Sequence, residues 1–107
     1  MTAQALIHVP KKAKRGEVIE VRTMISHVME SGFRRSQSGE PIPRNIITNF
    51  SCTYDGVEVC RVVLYPAMTA NPFLIFRTIA TASGKLVFNW TGDNGFSAEE
   101  SATIEVE

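Results

Sequence analysis

Apolar residues alternate with polar ones along most of this chain, and the clearest alternation runs from Lys85 to Thr91. Leu86, Phe88 and Trp90 fall on one face of an extended segment, with Val87, Asn89 and Thr91 on the other. Asp93-Asn94-Gly95 follows, and these residues tolerate the positive φ of a hairpin turn. The returning strand, Ser97 to Val106, places Ala98, Ala102, Ile104 and Val106 on one side. Glu99, Ser101, Thr103 and Glu105 fall on the other. A two-residue loop at Asn94-Gly95 sets Trp90 opposite Glu99, apolar face against polar face, which the pleat penalises. A three-residue loop, Asp93 to Gly95, pairs Trp90 with Ala98 and Leu86 with Ala102. The pattern therefore predicts a type I turn with Gly95 left-handed as a bulge. Glu100 lands on the apolar side opposite Phe88 and must reach an edge, a cation or a partner surface.

Earlier segments show the same period. Ala5–Val9 is a short strand. Val18–Ile25 is a second, with Ile19, Val21 and Ile25 inside. Ile46–Tyr54 puts Phe50, Cys52 and Tyr54 on one face, Val57–Leu64 returns from it, and Phe73–Ala80 is a further strand. Between them, Pro10 to Gly16 is a basic turn. It reads as a solvated bend that blunts a strand edge, or as a docking patch for an acidic partner or anionic substrate. Met29–Arg44, with Gly32, Gly39, Pro41 and Pro43, holds no period and reads as a long surface connection. Tyr65–Pro72 is a second irregular crossing, where two prolines stop ladder pairing. About seven short strands, regular turn signals and no amphipathic helix predict a single domain over 1–107. Its class is all-β, an immunoglobulin-like antiparallel β-sandwich. The cysteine–Trp–cysteine order of antibody domains is absent, because both cysteines precede Trp90.

Charge narrows the function. Eleven Lys+Arg balance eleven Asp+Glu among 107 residues, so nothing draws the chain toward nucleic acid or an anionic membrane. No apolar run approaches a membrane span, and the N-terminus reads as lacking a secretory signal. No catalytic, cofactor or metal site emerges. His8 and His27 are isolated from other ligands. No Gly-x-Ser-x-Gly elbow or phosphate-binding glycine loop is present. Asp93, Glu99 and Glu100 are explained as turn and solvated strand carboxylates. If Asp55-Gly56 is a two-residue turn, Cys52 faces Val59 and Cys60 faces Ser51, which leaves separate thiols on opposite faces. A three-residue loop brings them opposite each other. A sandwich without reagents works by presenting a surface, through its loops or through a sheet face or edge. Phe33, beside Arg34 and Arg35, is a candidate anchor.

Several stretches resemble the SoxZ family. They are Lys14-Arg15-Gly16-Glu17-Val18-Ile19-Glu20-Val21-Arg22-Thr23, Pro43-Arg44-Asn45-Ile46-Ile47, Cys52-Thr53-Tyr54, Ala70-Asn71-Pro72-Phe73 and Trp90-Thr91-Gly92-Asp93-Asn94-Gly95-Phe96. They run in order across nearly the whole length. The resemblance implies a non-catalytic subunit of the SoxYZ complex in thiosulfate oxidation. Such a subunit forms a heterodimer with SoxY, whose cysteine on a glycine-rich C-terminal arm carries the sulfur. It also implies transient contact with other Sox enzymes, and a periplasmic location reached by co-export with SoxY. Apolar residues of the irregular segments, Phe33, Met68, Phe73 and Phe96, are then candidate partner contacts. Arg34, Arg35 and Arg44 are candidates for partner carboxylates or anionic substrate. The competing class is a small metal-binding redox sandwich of the superoxide reductase-like type, which needs a cluster of histidines and a cysteine ligand.

Overall fold

The computed structural model describes residues 4–65 and 70–107. Among these residues eight strands follow one another: β1 (Ala5–His8), β2 (Lys12–Ala13), β3 (Val18–Ile25), β4 (Ile47–Tyr54), β5 (Val57–Val63), β6 (Phe73–Ile79), β7 (Gly84–Gly92) and β8 (Ser97–Val106). They form two stacked sheets, one of three strands in the order β1-β3-β6 and one of five in the order β2-β8-β7-β4-β5. This is the immunoglobulin-like sandwich that the alternation predicts. The strand beyond the expected seven is β2. Part of the basic turn, Lys12–Ala13, pairs in parallel with Glu105–Val106. It covers the outer edge of β8.

The core lies between the sheets. Ile19, Val21 and Ile25 point inward from β3, and Phe50, Leu86, Phe88 and Trp90 meet them from the larger sheet. Phe50 sits at the centre, 5.3 Å from Trp90 and 6.2 Å from Phe76 between ring centroids. Thr23 is polar yet buried in this layer, and its hydroxyl donates to Leu74 O. That bond removes the cost of burying it. Tyr54 is also buried, and its hydroxyl donates to Ala82 O across the β6–β7 connection.

The β7–β8 register is as expected, with Trp90 opposite Ala98 and Leu86 opposite Ala102. The turn that sets it differs. Asn94 (φ 59°) and Gly95 (φ 73°) are both left-handed, and Phe96 N donates to Asp93 O. Two consecutive positive φ values make a primed turn at Asn94-Gly95 rather than type I. The extra residue is Asp93, whose N–H leaves the hairpin and donates to Ile46 O at 2.9 Å. Its neighbour Gly92 has no room for a side chain. A Cβ there would lie 2.3 Å from Ile46 O. Glu100 is opposite Phe88 as expected and is exposed. Three strands cannot cover five, and the inward side of β8 opens to water there.

Cys52 and Cys60 do not lie on opposite faces. Asp55-Gly56 is the two-residue turn expected, with Tyr54 opposite Val57, but the register then slips and Cys60 comes directly opposite Cys52. Without that slip the inward phase of Val57 would carry Arg61 into the core side. The bulge at Val59 turns Arg61 outward, opposite Ser51, where it pairs with Glu58 at 2.7 Å. Both thiols are free.

Candidate functional site

The smaller sheet has an outward face that the alternation assigns to water, yet much of it is apolar. On β3 the outward residues are Val18, Glu20, Arg22 and Met24, paired with Ile79, Arg77, Ile75 and Phe73 of β6. Leu6 of β1 stands next to Met24. Leu6 is 62% exposed, Phe73 54% and Ile75 50%. One end of the face is therefore a cluster of Leu6, Met24, Phe73 and Ile75. The middle is ionic: Glu20 receives Arg22 at 2.7 Å and Arg77 at 3.3 Å. The hydrogen bond from Arg22 is the main reason the Glu20 carboxyl titrates below its usual range. Val18 and Ile79 close the other end. β6 is also an edge strand, with one side of its backbone unpaired among the described residues. Scattered apolar residues on a surface need no explanation, but a contiguous patch beside an open edge marks an interaction site.

The patch lies at the end of the sandwich from which the long β3–β4 connection leaves. This connection is an irregular two-stranded ribbon. Glu30 and Asn45 exchange backbone hydrogen bonds at 2.8 Å at its base. Ile42 N donates to Arg34 O farther out, Arg35 bridges Pro41, and Ser36 N donates to Glu40 O at the tip. The ribbon gives the molecule a length of 59 Å against widths of 22 and 18 Å. Its radius of gyration of 16.2 Å exceeds the roughly 13 Å of a compact chain this long. Phe33 projects from the ribbon, 87% exposed.

Two side chains anchor the ribbon. Arg44 grips Asp93 with both nitrogens, Nε at 2.8 Å and Nη2 at 2.9 Å, and Asp93 Oδ2 also accepts from Ile46 N. Arg44 holds the Asp93 carboxyl below its ordinary range. His27 packs edge-on against Phe96, 4.8 Å between centroids, and its Nδ1 accepts from Met29 N. Burial lowers the His27 pKa, and Asp93 opposes that shift. His8 stands exposed on β1, opposite Arg22. Among the described residues, no three His, Cys, Asp or Glu side chains come together as ligands for a metal ion. The Cys52 thiol is pushed up to about 12 by burial and by Cys60, so it is a poor nucleophile.

The residues proposed from sequence thus fall into three places. Phe73 belongs to the apolar sheet face. Phe33, Arg34 and Arg35 lie on the ribbon, and Arg44 and Phe96 lie at its base. Met68 falls outside the described residues. Of the three arginines, two are engaged within the chain: Arg34 by Glu30 at 2.6 Å and Arg44 by Asp93. Arg35 donates to Gly39 O and faces no carboxylate among the described residues. Sequence reasoning missed Leu6, Val18, Ile75 and Ile79. The signal was present in Phe73-Leu74-Ile75-Phe76, an unbroken apolar run, which indicates a strand covered on both faces.

The family model described as sulphur oxidation protein SoxZ matches residues 7–103. No curated protein sequence matches the chain. Among solved structures, the superoxide reductase (neelaredoxin) of Ignicoccus hospitalis superposes with a TM-score of 0.75 at 22% identity, over 96% of this chain and 80% of that one. The sulfur carrier protein SoxY of Chlorobium limicola f thiosulfatophilum superposes with a TM-score of 0.66 at 18% identity, over 96% of this chain and 78% of that one. At identities this low the superpositions show a shared fold and nothing further. No helix among the described residues is long and apolar enough to cross a membrane.

Proposed function

The chain belongs to the SoxZ family of sulfur-oxidation proteins, and on that premise we propose that it is the non-catalytic subunit that binds SoxY. Bound there, it helps present SoxY's cysteine-bearing C-terminal arm to the other Sox enzymes. The observation that supports this reading is the outward face of the three-stranded sheet, where Leu6, Phe73 and Ile75 are half or more exposed. An isolated subunit that leaves such residues in water is built for a partner that covers them.

Size argues that the face is not the whole contact. The three strands, of four, eight and seven residues, stand about 4.8 Å apart and present on the order of 300 Å² in projection. A stable interface covers about 800 Å² on each partner. SoxY therefore docks at the Phe73 end and continues onto the ribbon, where Phe33 offers a further anchor. Arg35 remains for a partner carboxylate. Arg44 and Arg34 act indirectly by holding the ribbon in place. The complex works in the periplasm, where this chain arrives bound to SoxY.

Co-expression with tagged SoxY tests the reading. The unaltered chain co-purifies with SoxY, and Phe73→Asp with Ile75→Asp does not. Both positions are already wet in the free chain, so the variant keeps its circular dichroism. Undiminished co-purification of a folded double variant would show that SoxY binds elsewhere.

A further inference from the structure

We infer that Cys52 and Cys60 form a redox-active pair, closing as an intrachain disulfide that staples the edge strand β5 to β4. The bulge at Val59 places the two residues directly opposite each other. Directly opposed residues in an antiparallel pair have Cα atoms about 4.5–5.5 Å apart, inside the roughly 4.4–6.8 Å that a disulfide spans. Both side chains point to the inward face, because Cys52 shares the phase of Phe50 and Tyr54, and Cys60 that of Val57 and Val62. They differ in access. Cys52 is fully buried, while Cys60 is at the partly open margin of the sheet.

That difference orders the chemistry. The oxidant is a small-molecule disulfide, R–S–S–R. The Cys60 thiolate attacks one sulfur, breaks the S–S bond and releases one RSH, leaving a mixed disulfide on Cys60. Cys52 is a poor nucleophile toward outside reagents, but it stands directly opposite the mixed disulfide, and at that high effective concentration the small thiolate fraction attacks the Cys60 sulfur, closes the Cys52–Cys60 bond and releases the second RSH. Each protein thiol's proton leaves on a released thiol, two electrons pass to the oxidant, and both protein sulfurs end in one bond. Among the described residues β5 pairs with β4 alone, so the staple secures a strand that the ladder holds on one side. The inference rests on the β4–β5 register and is independent of SoxY binding.

The test uses the full-length chain, folded and reduced, exposed to excess oxidised glutathione, quenched in acid and alkylated without reduction. Peptide mass spectrometry is expected to find residues 52 and 60 linked within one chain that has lost two hydrogens. In Cys52→Ala, glutathione is expected to stay on Cys60, and in Cys60→Ala, Cys52 is expected to remain unmodified. Three results would overturn the inference: both wild-type thiols recovered alkylated, a persistent glutathione on Cys60 of the wild type, or a link between two chains. The wild-type result is decisive even if a variant fails to fold.

Discussion

Phe73→Ala removes the largest apolar side chain of the sheet face in the proposed SoxY contact, and its effect can be worked from exposure. Phe73 leaves 54% of its surface in water. A phenylalanine buries roughly 200 Å², so a covering partner removes about 100 Å² more. At about 25 cal/mol per Å² that is ~2.5 kcal/mol, of which alanine retains a small part. The expected loss is ~2 kcal/mol, or about 30-fold in Kd. Ile75 is 50% exposed and adds ~1 kcal/mol on the same scale. Phe73→Ala with Ile75→Ala should weaken binding on the order of 100-fold, mostly as faster dissociation. Calorimetric titration with SoxY reads the affinity, and a thermal melt of the free chain serves as the control. The melt should barely move, because surface truncations stay within about 0.5 kcal/mol. A folded double variant that binds within threefold of wild type would refute the placement.

Other outcomes follow from the core and the ribbon. Gly92→Ala forces a Cβ into Ile46 O, so the unfolding free energy read from a urea melt should drop by the ~1–3 kcal/mol of an overpacked site or more. Phe50→Ala empties the centre of the aromatic cluster and should cost ~3–5 kcal/mol in the same melt, enough to unfold much of a marginal domain. Asp93 has a lowered pKa in the fold. Its pairing with Arg44 therefore stabilises above the unfolded carboxylate value and is lost as pH falls through the folded one. The stability gap between wild type and Asp93→Asn should be present at neutral pH and close on acidification. A gap that stayed constant down to about pH 3 would contradict the assigned role, since unperturbed Asp titrates near 3.9.

What was legible in the chain depended on how local its cause was. Trp90, Phe88 and Leu86 face Ala98 to Ala102 because strict alternation leaves one satisfactory register, and the hairpin forms that register. The turn inside it was misread because Asp93 bulges to reach Ile46, a residue of another strand. β2 escaped notice for a similar reason: Lys12–Ala13 has no pattern of its own and is ordered by the edge of β8. The cysteine register was recoverable. Arg61 shares sequence parity with Val57 and Val59, so an unbroken β5 would bury a guanidinium, and a bulge is the inexpensive escape. The apolar face was legible only as a broken alternation in Phe73-Leu74-Ile75-Phe76, and Phe73 alone was drawn from it. On the ribbon, nothing in Arg34 or Arg44 announces that Glu30 and Asp93 will hold them.

On the proposed reading this chain gives SoxY a binding surface and carries none of the sulfur being transferred. Mass spectrometry of the complex with SoxY, taken during thiosulfate turnover under native and then denaturing conditions, tests it most directly. One copy of each chain is expected in the complex, with every added sulfur on SoxY and none on this subunit. Sulfur atoms appended to Cys52 or Cys60, or the absence of any joint species, would contradict it.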